Sequence, residues 1–164
     1  MAEQTNTLPI PPRGTRGAWQ APRLLMKALT PLMNMQISNY RKKAGPTPPV
    51  MMGMPTVLLT TTGAKTGLER THVLGGFADG DDSWVIIASN SGSATHPAWF
   101  INLAKHPDKV WLEVGNRKMR VKPQLINGPE REASYAKVAA IAKQYAKYPK
   151  STDREIPVIR LTPA

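Results

Sequence analysis

Short apolar runs bounded by turn-forming residues predict strands at Thr56–Thr61, Glu69–Phe77 and Ser83–Ala88, the last two joined by "ADGDD". A short helix is expected over Ala98–Lys105, after the loop "SNSGSATHP". The runs "KVWLEV" and "RKMRVKPQLI" flank Gly115-Asn116, a strong hairpin signal. A second helix begins at Pro129, with Glu130 and Glu132 in its first turn and Val138, Ile141, Ala142 and Tyr145 at helical spacing. The segment "IPVIRL" closes the chain as a strand. The order is strand, strand, strand, helix, strand, strand, helix, strand. Hairpin-linked strands favour an antiparallel sheet or small barrel with peripheral helices; a doubly wound parallel sheet needs a helix between successive strands.

Ahead of the strands the pattern changes. Residues 1–17 hold Pro9, Pro11, Pro12 and two glycines without apolar periodicity, and are expected to be disordered and dispensable. From Trp19 to Lys43 the chain reads as helix interrupted at Pro31, with Leu24, Leu25, Ala28, Leu32, Met35 and Ile37 forming an apolar side. Up to residue 45 there are seven Lys or Arg against one Glu. This segment is read either as a helix packed on the domain or as a basic amphipathic element that lies on an anionic membrane or covers a site. Residues 18–49 are thus a helical extension and linker ahead of a folded domain at 50–164.

Composition narrows the chemistry. The chain has 164 residues, 41% of them apolar, which suits one domain with a sizeable core. With no cysteine, disulfides and thiolate chemistry are excluded, and His72, His96 and His106 have no recognised ligand spacing, so no metal is expected. No apolar run approaches the roughly 18 residues needed to span a bilayer, and no signal-peptide core is visible, which reads as cytoplasmic. The net charge of +11 is spread along the chain without a nucleic-acid motif, so an anionic small molecule or a lipid surface is favoured over nucleic acid. Oligomeric state is not legible.

Two loops carry candidate chemistry. In "TTTGAKTGLERTH", Gly63 and Gly67 bracket Lys65-Thr66 between two strands, without the spacing of a P-loop. It is either a plain hairpin with solvated charges or an anion cradle built from Lys65, Arg70 and backbone amides. In "IIASNSGSATHPAWFINLAKHP", a buried strand opens into small polar residues before a helix with Trp99 and Phe100 near its start. That is either a capped helix with core aromatics or a wall for a flat polar ring.

Together, "LLTTTGAKTGLERTHVL", "IIASNSGSATHPAWFINLAKHP" and "TDREIPVIRLTP" resemble successive signatures of the deazaflavin-dependent nitroreductase family, coenzyme F420H2-dependent reductases with a split β-barrel of the FMN-binding type. The resemblance covers roughly residues 50 to 164. It implies an α+β, mainly antiparallel split barrel. It further implies that Lys65, Thr66 and Arg70 hold the phosphate-bearing tail of F420, joined by backbone at Ala64 and along Thr71, His72, Val73, Leu74, Gly75 and Gly76. Ile87, Ala88, Ser89 and Asn90, with Ala98, Trp99, Phe100, Ile101 and Asn102, would line the deazaflavin. Ala64 and Asn90 stand where some relatives carry basic residues.

Tyr145 and Tyr148 match positions that in the family face the substrate pocket, and Tyr145 would also meet the coenzyme. With Ser89 they are the candidates for orienting the acceptor, with no protein acid or base required. The expected activity is hydride transfer from reduced F420 to a quinone, an unsaturated ketone or lactone, or a nitro compound. An FMN-dependent oxidoreductase of the same barrel and a non-catalytic deazaflavin or lipid carrier are the alternatives.

Overall fold

The computed structural model describes residues 6–164. Two helices, α1 (Arg23–Ala28) and α2 (Thr30–Lys43), precede the strands β1 (Val50–Met51), β2 (Met54–Thr62), β3 (Glu69–Gly75), β4 (Phe77–Ala78) and β5 (Trp84–Ile87). A 3-10 turn at Asn90–Gly92 leads to α3 (Ala98–Lys105), then β6 (Trp111–Val114) and β7 (Arg117–Ile126). The chain ends with α4 (Gly128–Ile141), a 3-10 turn at Lys143–Ala146, α5 (Tyr148–Ser151) and β8 (Val158–Pro163).

All strand pairings are antiparallel, in the order β1-β2-β6-β7-β8-β5-β4, and β3 pairs with β2 off that path. This is a curled split-barrel sheet. Strands β2 and β7 are long enough to take partners on both sides, so they bend the sheet around its core. The β6–β7 turn works because Gly115 holds a positive φ of 58°. One core cluster gathers Val57, Leu59, Trp84, Ile86 and Leu112 of the sheet with Trp99, Phe100 and Leu103 of α3. A second sits under α4, where Tyr135 and Val138 meet Phe77, Ile87, Tyr145 and Val158.

Three expectations are corrected. The long N-terminal helix breaks at Leu29, and Pro31 lies in the first turn of α2, where its missing N–H costs nothing. The expected helix around Tyr145 ends at Ile141, which is exposed, and Tyr145 instead sits in the following 3-10 turn. Most consequentially, the segment expected to be disordered is ordered where it is described: Leu8 N–H donates to Ala104 O at 2.9 Å and Gly14 N–H to Ala94 O at 2.8 Å. Residues 1–5 lie outside the described residues.

Helix α2 runs beside β3, where Met33 and Ile37 are half-buried and face a cleft with Arg70 and His72, and it is fastened at its C-terminal end. The buried Tyr40 hydroxyl donates to Thr56 O at 2.9 Å and accepts from Gly115 N–H at 3.0 Å. Arg41 grips Glu113 with two hydrogen bonds, at 2.9 and 2.8 Å. Leu24, Leu25, Leu32 and Met35, expected to form an apolar side, are all exposed.

Candidate functional site

The loop between β2 and β3 is shaped by its glycines. Gly67 has φ +70°, and a Cβ on Gly63 would come within 2.5 Å of Thr66 Oγ1. Gly63 N–H donates to Leu68 O at 2.7 Å and Gly67 N–H to Gly63 O at 2.9 Å, closing the turn with Lys65 and Thr66 exposed at its tip. The Ala64 amide, expected to face an anion, donates to Asn102 Oδ1 of α3 at 2.9 Å. That bond fastens the two candidate loops together, so Lys65 and the exposed face of α3 bound one region.

Strand alternation decides which β3 residues share a face. Arg70 lies opposite Thr61 and His72 opposite Leu59, on the side of the sheet where Leu59 and Leu74 join the first core cluster. Thr71 is on the other side, its hydroxyl 2.8 Å from that of Thr60. One face therefore carries Arg70, His72 and Thr61. Lys65 and Arg70 form no ion pair among the described residues. Thr61 Oγ1 and His72 Nδ1 are buried without a hydrogen-bond partner. Burial, and secondarily Arg70, holds the His72 pKa below the usual histidine range. Unmet hydrogen-bonding capacity on a strand with Arg70 exposed and without an ion pair among the described residues fits an anionic, oxygen-rich coenzyme.

The other wall is more committed than the sequence implies. Trp99 and Phe100 are 5% and 0% exposed, and their rings belong to the core, packed edge to face at 6.4 Å. Helical geometry leaves Ala98 exposed and Ile101 and Asn102 half-buried, Ile101 still touching the first core cluster. Ile87 and Ala88 are core residues as well. Asn90 turns its amide inward, donating to Ser93 Oγ at 2.9 Å and Thr95 O at 3.0 Å.

At the far end of β3, Gly75 explains itself through Tyr145. A Cβ on Gly75 would lie 2.8 Å from the Tyr145 hydroxyl and 2.8 Å from Met54 Sδ, and one on Gly76 would strike Val57. The Tyr145 ring meets Phe77 at 5.7 Å and Tyr148 at 5.2 Å, both edge to face. Tyr135 donates to the Tyr145 carbonyl at 2.7 Å and fixes its backbone. Among the described residues the Tyr145 hydroxyl has only Met54 sulfur, at 3.8 Å, as an acceptor. Burial, followed by neighbouring Tyr148, pushes its pKa up to about 12. It is a protonated donor with its hydrogen bond nearly unspent.

Sequence reasoning assigned no role to Arg154. It is 6% exposed, and its guanidinium donates to Ser93 O at 2.8 Å, Ala88 O at 3.1 Å and Ser89 O at 2.8 Å. The available signal was a charged residue just before the apolar run "IPVIRL".

A family model described as F420H2-dependent quinone reductase matches residues 32–163. An F420H2-dependent quinone reductase of Mycobacterium tuberculosis is 39% identical over 115 residues, covering 66% of this chain and 73% of the relative. Among solved structures, an F420-H2 dependent reductase (FDR-A) shares 32% identity with a TM-score of 0.59, over 65% of this chain and 93% of its own. A chain described as a domain-swapped dimer shares 27% identity with a TM-score of 0.62, over 79% of this chain and 96% of its own. With its split barrel and its basic β2–β3 loop, the chain belongs to the F420H2-dependent quinone reductase family.

Proposed function

We propose that this protein reduces a lipophilic quinone with reduced F420 at an anionic membrane surface. The observation that carries this reading is the arrangement along β3. Its loop end bears Lys65 and Arg70, neither of them ion-paired among the described residues, and its far end meets the Tyr145 hydroxyl at Gly75. Gly75 alternates to the Thr71 face of the strand, so coenzyme tail and acceptor are received around the two ends of β3 rather than on one face. When bound, reduced F420 supplies the hydride; with one proton, a quinone becomes a quinol.

The residues of the chain bind and orient. Lys65, Thr66 and Arg70 hold the anionic tail, and His72 and Thr61 have hydrogen-bonding capacity left for it. Exposed Ala98 and half-buried Ile101 and Asn102 offer the accessible side of α3 to the ring. Tyr145 keeps its proton at neutral pH and donates a hydrogen bond to an acceptor oxygen where negative charge grows. Ser89 adds a second hydroxyl, and the half-buried Tyr148 closes the edge of the Tyr145 ring.

Membrane docking draws on the N-terminal extension. Trp19 and Leu24 are at least 80% exposed, Arg23, Lys27, Lys42 and Lys43 lie on the same segment, and Met52, in the β1–β2 turn, is 85% exposed. No helix among the described residues is long and apolar enough to cross a membrane, so contact is peripheral.

Anaerobic oxidation of F420H2 tests the proposal, with a soluble naphthoquinone, an enone, a nitro compound, and a long-chain quinone in phosphatidylglycerol vesicles as acceptors. Both quinones are expected to be reduced faster than the enone or nitro compound, the long-chain one only with anionic vesicles. Tyr145→Phe should lower kcat/KM by roughly tenfold, the loss of one hydrogen bond, with F420 affinity little changed. Faster turnover of the nitro compound or enone would reject the quinone assignment. Equal rates in neutral vesicles would reject the membrane contact.

A further inference from the structure

The turn that presents Ser89 is backbone-strained. Asn90, Ser91 and Gly92 follow one another at φ 45°, 54° and 79°, a run of left-handed residues of which only the last is glycine. Such a run persists only where the surroundings over-determine it, and here it is held from both sides.

From inside, every donor of Arg154 is engaged. Nε donates to Ser93 O and Nη2 to Ala88 O and Ser89 O. Nη1 reaches His96 Nδ1 at 3.2 Å and Glu155 O at 3.4 Å. Arg154 has no carboxylate partner among the described residues. A buried guanidinium satisfied almost wholly by carbonyls is costly as a simple stability device, and its bonds converge on one short turn. Because Nδ1 of His96 accepts from Arg154, its proton sits on Nε2 and is donated to Pro11 O at 2.7 Å.

From outside, an extended strap of residues 11–20 is laid over the same turn. Gly14 N–H donates to Ala94 O and Ala18 N–H to Gly92 O at 3.0 Å, while Thr95 Oγ1 donates to Gln20 Oε1 at 2.7 Å. Asp153, next to Arg154, accepts from the Thr15 amide at 2.8 Å, the Thr15 hydroxyl and the Arg16 amide at 3.2 Å. Thr152 Oγ1 donates to Arg16 O at 2.9 Å. The strap can approach this closely because residue 17 is glycine: a Cβ there would collide with the Ala94 backbone nitrogen.

We propose that Arg154 and the strap form a clamp that holds the Asn90–Gly92 turn in its left-handed shape and so positions the adjoining Ser89 toward the acceptor. Arg154 is a positioning residue, since its contacts with the turn are to carbonyls. The proposal rests on the reading of Ser89 as an orienting group, and it reassigns the strap from a dispensable tail to part of the site's support.

Hydrogen exchange and kinetics on the full chain test it with Gly17→Ala, which pushes the strap away, and with Arg154→Met and Arg154→Lys. In Gly17→Ala and Arg154→Met, amides of residues 89–95 should exchange at least about tenfold faster while those of β2 and β7 keep parental rates. F420 affinity should stay within about twofold, and kcat with the soluble naphthoquinone should fall about tenfold at little-changed KM. Arg154→Lys, with one ammonium in place of the fork, should recover part of both losses. The clamp is overturned if folded Gly17→Ala and Arg154→Met keep parental exchange and kcat. It is equally overturned if exchange rises throughout the barrel and F420 affinity falls in parallel, which would make Arg154 a general stabilising residue. If local exchange rises as expected but the parent itself reduces no acceptor, the clamp stands and the functional reading fails.

Discussion

Lys65→Ala combined with Arg70→Ala is expected to weaken F420 binding on the order of a hundredfold or more in an equilibrium fluorescence titration, with the melting temperature nearly unchanged. Both side chains are exposed and neither forms an ion pair among the described residues, so folding does not depend on them. A charge-assisted hydrogen bond to a phosphate or carboxylate contributes about 1.5–3 kcal/mol, and the two losses together reach several kcal/mol. Because the sites are open to solvent, added salt should narrow the gap between parent and variant as the Debye length falls below its physiological ~8 Å. Binding equal to the parent would reduce the loop to a hairpin with solvated charges.

Phe100→Ala is expected to destabilise the protein by about 3–5 kcal/mol in a denaturant titration without coenzyme, as deletion of a fully buried aromatic ring does. Phe100 is 0% exposed and stands in α3 between Trp99 and the sheet residues of the first core cluster; His96 adds a ring contact at 5.3 Å. A chain of this length loses about 2–4 °C of Tm per kcal/mol, so a fall of roughly 10 °C is the visible consequence. The sequence left two roles open, a core aromatic or a wall for a flat ring, and the family resemblance implied the second, a lining of the deazaflavin. If that role were the main one, coenzyme-free stability would hardly move and F420 affinity would collapse.

The difference between those outcomes marks where sequence pattern stops being informative. Hydrophobic runs and turn residues located β2, β5, β8, the Gly115-Asn116 hairpin and α3, because these are set by local conformational preference, but they ran β3 and β4 together over Glu69–Phe77 and gave no sign of β1. The basic loop was legible for the same reason, its glycines and cations being adjacent in sequence. "AWFINLAK" shows aromatics near a polar loop, but which helix face meets the sheet is decided by tertiary packing. Tyr145 keeps helical spacing with Val138, yet the chain leaves the helix at Ala142 with φ −124° and ψ 95°.

The strap shows the limit most clearly. A segment of proline, glycine and polar residues has no periodicity to read, and its order comes from partners such as Asp153, 138 positions from Thr15. Burial, followed by charge repulsion from Arg70, disfavours protonated His72; for His96, burial comes first and Arg154 adds to it. Neither effect has a sequence signature. The exposed apolar positions of α1 and α2 were predicted as a side, but the sequence left open whether the barrel would cover it, and only Tyr40 of the two helices is fully buried.

The most direct test of the central claim, that the basic loop and the β3 face with Arg70, His72 and Thr61 receive a deazaflavin coenzyme, is a side-by-side titration of the purified protein with F420 and with FMN. F420 is expected to bind at least about tenfold more tightly, because its longer anionic tail engages Lys65 and Arg70 together. Equal affinity for the two, or preference for FMN, would contradict the account.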